Sequence, residues 1–136
     1  MTKPDNPPVL SIRNLTVEFP TGDGTFTAVD DISLDIARGE VLGVIGESGA
    51  GKSMTGAAVT GLIDRPGSIT SGEIFLNGKR IHGLSEPALL TLRGRRIGTV
   101  FPDPLVSLHP LYTVARQPIP PIRRHLTLHA HYHRKP

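Results

Sequence analysis

Gly46-Glu47-Ser48-Gly49-Ala50-Gly51-Lys52-Ser53 is the segment on which the fold turns. It satisfies the spacing G-x-x-x-x-G-K-[ST] in full. Just upstream, Val41-Leu42-Gly43-Val44-Ile45 is a nearly unbroken apolar run, the pattern of a strand buried on both faces. Just downstream, residues 52–63 carry Met54, Ala58 and Leu62 at helical spacing and stop at Asp64-Arg65-Pro66-Gly67. Strand, glycine-rich loop and helix together are built to surround a polyphosphate. Phosphate oxygens carry dense negative charge, and a loop meets them by aiming many backbone N–H groups inward. Gly46, Gly49 and Gly51 permit the positive φ angles and close approach this needs, and Glu47, Ser48 and Ala50 complete the loop backbone. Lys52 is expected to set its ammonium between the β- and γ-phosphates, and the Ser53 hydroxyl to ligate Mg²⁺. A helix starting near Gly51 adds the positive end of its dipole. The bland alternative is a strand-to-helix turn that fits the spacing by accident, and the flanking pattern argues against it. The expected ligand is ATP or a similar nucleoside triphosphate with Mg²⁺. Catalysis does not follow from the motif.

Away from the loop, Leu10 and Ile12, then Leu15, Val17 and Phe19, alternate with polar neighbours as a half-buried strand does. Pro20-Thr21-Gly22-Asp23-Gly24 is turn chemistry. A short extended piece over 26–29 follows, and Ile32, Leu34 and Ile36 alternate again before a turn at Ala37-Arg38-Gly39. Asn77-Gly78, between Ile74-Phe75-Leu76 and Arg80-Ile81, is a strong hairpin signal. Ser85 is placed to cap a helix that has Pro87 in its first turn and runs to about Leu92. Residues 97–101 read as a further strand. The class is α/β: an antiparallel portion followed by a strand–loop–helix unit, with an incomplete core.

The 136 residues suit one domain, and no run of 18 apolar residues occurs. The N-terminal eight residues lack a secretory apolar stretch, so the cytosol is the expected address; with no cysteine, disulfides and thiolate metal sites are excluded and the redox compartment is not readable. Charge is uneven. Residues 1–115 hold ten Lys/Arg against twelve Asp/Glu, a net of −2, while 116–136 hold five Lys/Arg and no acid, a net of +5. That end also carries His125, His129, His131 and His133 and four prolines. A solvated tail is the plainer reading beside a nucleic-acid or anionic-lipid contact, and no nucleic-acid partner is expected. The histidines share faces that could suit a metal, but no carboxylate or cysteine accompanies them, so no metal centre is expected there.

Several stretches in order resemble the ATP-binding subunits of ABC importers for dipeptides, oligopeptides and nickel. They are Leu15-Thr16-Val17-Glu18-Phe19, Ala28-Val29-Asp30-Asp31-Ile32-Ser33-Leu34, and Gly39-Glu40-Val41-Leu42-Gly43 leading into the loop. Ser71-Gly72-Glu73-Ile74 is similar to that family's antiparallel subdomain. Arg95-Arg96-Ile97-Gly98-Thr99-Val100-Phe101-Pro102-Asp103-Pro104-Leu105 resembles the segment around its Q-loop. The resemblance implies the N-terminal portion of a P-loop NTPase, here 9–117; composition makes 1–8 a flexible lead-in and 118–136 a basic, His/Pro-rich tail expected to be disordered. It implies that Phe19 stacks on adenine; alternation alone equally suits an inward strand residue. It further implies transmembrane permease subunits and a second ATP-binding subunit as partners, and a place on the inner face of the cell membrane.

Two departures bear on activity. Pro102 stands where the family has a glutamine whose amide oxygen reaches Mg²⁺ and the attacking water, and proline has no such oxygen. No string like the family's signature motif follows, and Asp30-Asp31 precede the loop and cannot serve as its Walker B acid. The expectation is therefore a truncated ATP-binding subunit, ancestrally hydrolytic and itself hydrolysis-deficient. The rival is a non-catalytic nucleotide-binding remnant. A stand-alone P-loop kinase or GTPase fits the antiparallel start and the Q-loop-like segment poorly.

Overall fold

The computed structural model describes residues 7–100, 108–120 and 122. They fall into two compact units, one ending at Leu89 and one beginning at Leu90.

The first unit is built on strand β1, Leu10–Thr21, whose apolar residues recur on one face. It pairs antiparallel with β2, Gly24–Ile36, on one side and with β3, Ser68–Leu76, on the other. The two-residue β4, Lys79–Arg80, completes a sheet of order β2-β1-β3-β4. Simple alternation would put Ile12 and Leu15, three residues apart, on opposite faces, yet both are buried. The ladder shifts register between them, and Asn14 takes a left-handed φ of 47°. The extra residue restores Leu15 and Val17 to the core face, where a regular strand would have turned them to water. Gly72 of β3, at φ 89°, lies against this bulge, and a Cβ there would come within 2.6 Å of the Asn14 carbonyl carbon.

Ile12, Leu15, Val17 and Ile74 are fully buried, and Val29, Ala58 and Ile81 are buried nearly as deeply. Each buried valine, leucine or isoleucine side chain contributes about 1.5–3 kcal/mol. Net domain stability is only about 5–15 kcal/mol, so a core of this size tolerates few losses. The Asn77-Gly78 turn forms as expected, with φ of 49° and 74°, the two positive angles of a tight hairpin whose twist matches its strands. The two extended pieces read in residues 26–36 are one strand in the structure, and Asp31, at φ 45°, marks the break between them.

Helix α1, Lys52–Thr60, stops three residues before the end expected at Ile63. Gly61 adopts a left-handed cap at φ 67°, and its N–H and that of Leu62 close onto the Ala58 and Ala57 carbonyls. Helix α2, Glu86–Leu92, has the expected bounds, with the Ser85 carbonyl accepting the Leu89 N–H at 3.0 Å.

Two expected strands are corrected. Residues 41–45 form no strand, and Val41 and Ile45 are 95% and 96% exposed. A strand buried on both faces needs a neighbour on each side to take its N–H and C=O groups. Among the described residues the sheet consists of β1 to β4 alone, so this apolar run has no neighbour. In the 97–101 segment, Ile97 makes a single bridge with Arg93, and 98–100 have no regular structure. Phe101 and Pro102 lie outside the described residues.

In the second unit, the Gln117 carboxamide organises a turn. It accepts the His109 N–H at 2.7 Å and donates to the His109 and Tyr112 carbonyls at 3.0 and 2.8 Å. A short 3-10 helix spans Val114–Arg116. The histidines of the C-terminal stretch, and with them the metal question, lie outside the described residues.

Candidate phosphate-binding loop

The loop 46–53 is exposed along most of its length and folds back on itself at the start of α1. Gly49 and Gly51 have φ of 87° and 77°, which L side chains rarely adopt. The Ala50 N–H closes on the Glu47 carbonyl at 3.2 Å. Gly46 faces the other end of the loop: a Cβ there would meet the Ala50 Cβ at 3.3 Å and the Lys52 Nζ at 3.9 Å. Lys52 turns its ammonium into the loop, donating to the Gly46 carbonyl at 2.8 Å and the Glu47 carbonyl at 2.5 Å. Its charge is thereby held over the hollow of the loop. Ser53 is exposed on the first turn of α1.

Gly51 sets where this apparatus sits. A Cβ on it would lie 2.6 Å from the Ala28 carbonyl oxygen and 3.2 Å from the Val29 Cγ2. The N-terminus of α1 therefore rests on β2, and only glycine lets it come so close. Thr55 fastens the same turn: its N–H and its hydroxyl both donate to the Gly51 carbonyl, at 2.8 and 3.0 Å. The first turn of α1 holds no acidic side chain, so nothing there offsets the positive end of the helix dipole. Left-handed glycines, an inward ammonium, an exposed serine hydroxyl and an uncompensated helix start fit a polyphosphate with its Mg²⁺. Lys52 and the loop backbone are the groups that would hold the phosphates, and Ser53 the one that would reach the metal.

Phe19 is half-buried at the end of β1, and its ring edge lies over Gly67 so closely that a Cβ there would overlap it. The support of the loop by Ala28 and Val29 was not read from the sequence. The Thr55 bond was missed as well, although its i+4 spacing from Gly51 is a signal that could have shown it.

Sheet, loop and helix define a P-loop nucleotide-binding fold of the α/β class. The ABC transporter family matches residues 29–135, and the chain belongs to that family. It is 42% identical over 118 residues to the peptidoglycan transport ATP-binding protein YejF of Agrobacterium fabrum, covering 86% of this chain and 22% of that protein. The dipeptide transport ATP-binding protein DppD of Escherichia coli is 39% identical over 117 residues, 86% of this chain and 36% of its own. The oligopeptide transport ATP-binding protein OppD of Salmonella typhimurium is 43% identical over 109 residues, 80% of this chain and 32% of its own. The chain thus spans about a third or less of these relatives. Among solved structures, an ATP-binding cassette dimer in a post-hydrolysis state with ADP and Pi superposes with a TM-score of 0.70 at 22% identity. That likeness covers 89% of this chain and 50% of the other, and it establishes the fold. The antiparallel sheet with few helices is the N-terminal portion of that fold. No helix among the described residues is long and apolar enough to cross a membrane.

Proposed function

We propose that this chain binds ATP with Mg²⁺ at residues 46–53, as the N-terminal portion of an ATP-binding subunit of a peptide importer. The observation that carries the reading is the inward Lys52 ammonium, fixed at 2.8 and 2.5 Å over a loop whose glycines adopt left-handed geometry. Bound Mg²⁺ bridges the β- and γ-phosphates and offsets their charge. The loop backbone, Lys52 and Ser53 bind and orient. By the family resemblance Phe19 takes the base on the part of its ring that Gly67 leaves open. The likeness to dipeptide and oligopeptide transport ATP-binding proteins supports the transport role. Permease subunits and a second ATP-binding subunit are the partners this reading carries, at the inner face of the cell membrane. Residues 9–117 form the binding domain in this proposal, and 118–136 lie outside it. The chain is hydrolysis-deficient in this reading, because Pro102 offers no amide oxygen to orient water.

Titration calorimetry with Mg·ATP tests the assignment. Wild type should bind and Lys52→Ala should not, since the substitution removes the charge that faces the phosphates. Equal curves for the two proteins would sink it.

A further inference from the structure

Four aliphatic side chains within residues 41–45 face water: Val41 at 95%, Leu42 at 40%, Val44 at 57% and Ile45 at 96% exposure. A Cβ placed on Gly43 between them would meet nothing within 4 Å. The backbone is equally bare. Residues 41–45 form no helix, turn or strand and have no positive φ. Among the described residues, none of their N–H or C=O groups makes a hydrogen bond. Single apolar residues on a surface need no explanation, but an uncharged run with side chains and backbone both open is a template for strand addition. The outer edge of β2 also lacks a neighbour, yet the exposed Asp30, Asp31 and Asp35 guard it. No charge interrupts 41–45.

The run is close to a palindrome. Laid antiparallel on a second copy about Gly43, Val41 falls opposite Ile45, Leu42 opposite Val44, and Gly43 opposite Gly43, where the absence of side chains lets the backbones approach. The flanking acids fit the same register: Glu40 falls opposite Gly46 and Glu47 opposite Gly39. A parallel pairing would instead set Glu40 against Glu40 and Glu47 against Glu47, like charges face to face. We propose that residues 41–45 are a self-pairing strand, joining two copies of this chain antiparallel about Gly43. The contact has two-fold symmetry, and each copy contributes four aliphatic side chains and its unpaired backbone groups to it. One short strand pair is a small interface, so the dimer is weak.

Sedimentation equilibrium without nucleotide tests the proposal, in wild type and two double variants. Wild type should approach twice the monomer mass at concentrations on the order of 100 μM and be monomeric in the low micromolar range. Val41→Lys with Ile45→Lys sets lysine opposite lysine twice in the antiparallel register and should stay monomeric throughout. Val41→Lys with Ile45→Glu sets lysine opposite glutamate twice and should dimerise. Both variants charge the same two exposed positions, so a loss of general stickiness would affect them alike, and neither touches the core. A wild type that stays monomeric, or that forms only species larger than a dimer, overturns the proposal. A Lys/Lys chain that dimerises as wild type does, or a Lys/Glu chain as monomeric as the Lys/Lys chain, overturns it as well.

Discussion

Asn14 and Asp31, on neighbouring strands, are both in left-handed backbone geometry, and the Asn14 side-chain amide donates to the Asp31 carboxylate at 2.8 Å. The Asn14 N–H is taken by the Ser33 hydroxyl at 2.8 Å, and the Asp31 N–H by the Thr16 hydroxyl at 3.3 Å. A bulge leaves backbone groups outside the ladder, and here side chains satisfy them. Asparagine and aspartate suit such places because their short polar side chains bond locally in a conformation other L-residues pay to adopt.

Asn14→Ala should destabilise the domain by about 1–2 kcal/mol through backbone strain, with the lost hydrogen bond adding to it. Asn14→Gly keeps the backbone freedom and should cost less. Gly72→Ala should cost more than either, because its Cβ would collide with backbone across the ladder. Urea denaturation of the three variants checks the order. An Asn14→Ala midpoint equal to that of wild type would show that the bulge relaxes freely.

Residues 41–45 give the second prediction. A strand buried on both faces would lose about 2–5 kcal/mol on truncation of Ile45. With Ile45 at 96% exposure, Ile45→Ser should instead change stability by no more than about 0.5 kcal/mol. A denaturation midpoint shifted by several times that amount would mean the run is packed after all.

The same residues show how much of the molecule was legible in its sequence. The glycine turn into α1, the Asn77-Gly78 hairpin and α2 were readable because each is specified by neighbours in the chain: glycines at fixed offsets, two turn residues, and a first-turn proline. The bulge at Asn14 left only a trace, in the three-residue step from Ile12 to Leu15. The fate of 41–45 could not be read locally, because burial on two faces depends on strands distant in sequence. The seat of the loop on β2 was not legible either, since it depends on the close approach of Gly51 to Ala28, 23 residues away in the chain.

Phosphate release by the chain alone should stay far below about one turnover per second, the low end for ordinary enzymes. In the proposed reading the loop holds phosphates but supplies no group to take a proton from water, and general-base assistance is commonly worth about 10²–10⁴-fold. Pro102→Gln should recover little, since a glutamine amide orients a water without deprotonating it. Lys52→Ala serves as the contamination control. Turnover near that rate, abolished in Lys52→Ala, would overturn the hydrolysis-deficient reading.

The last prediction joins the loop to the fold through Gly51. A ligand that binds only the folded state stabilises it by RT ln(1 + [L]/Kd), about 2.7 kcal/mol at a hundredfold excess over Kd. Mg·ATP should therefore raise the melting temperature of wild type by several degrees and leave that of Lys52→Ala unmoved. Gly51→Ala separates anchoring from charge. Its Cβ would sit 2.6 Å from the Ala28 carbonyl oxygen, in a backbone conformation that alanine resists, so the start of α1 must lift from β2. Lys52 is intact in this variant, yet the thermal shift should shrink strongly, because the ammonium and the loop backbone no longer converge. The unliganded melting temperature should fall as well, since Val29 loses its neighbour over the core. A Gly51→Ala protein with the full wild-type shift would mean that the loop binds phosphates without its seat on the sheet, and the link drawn here between β2 and the site would be wrong.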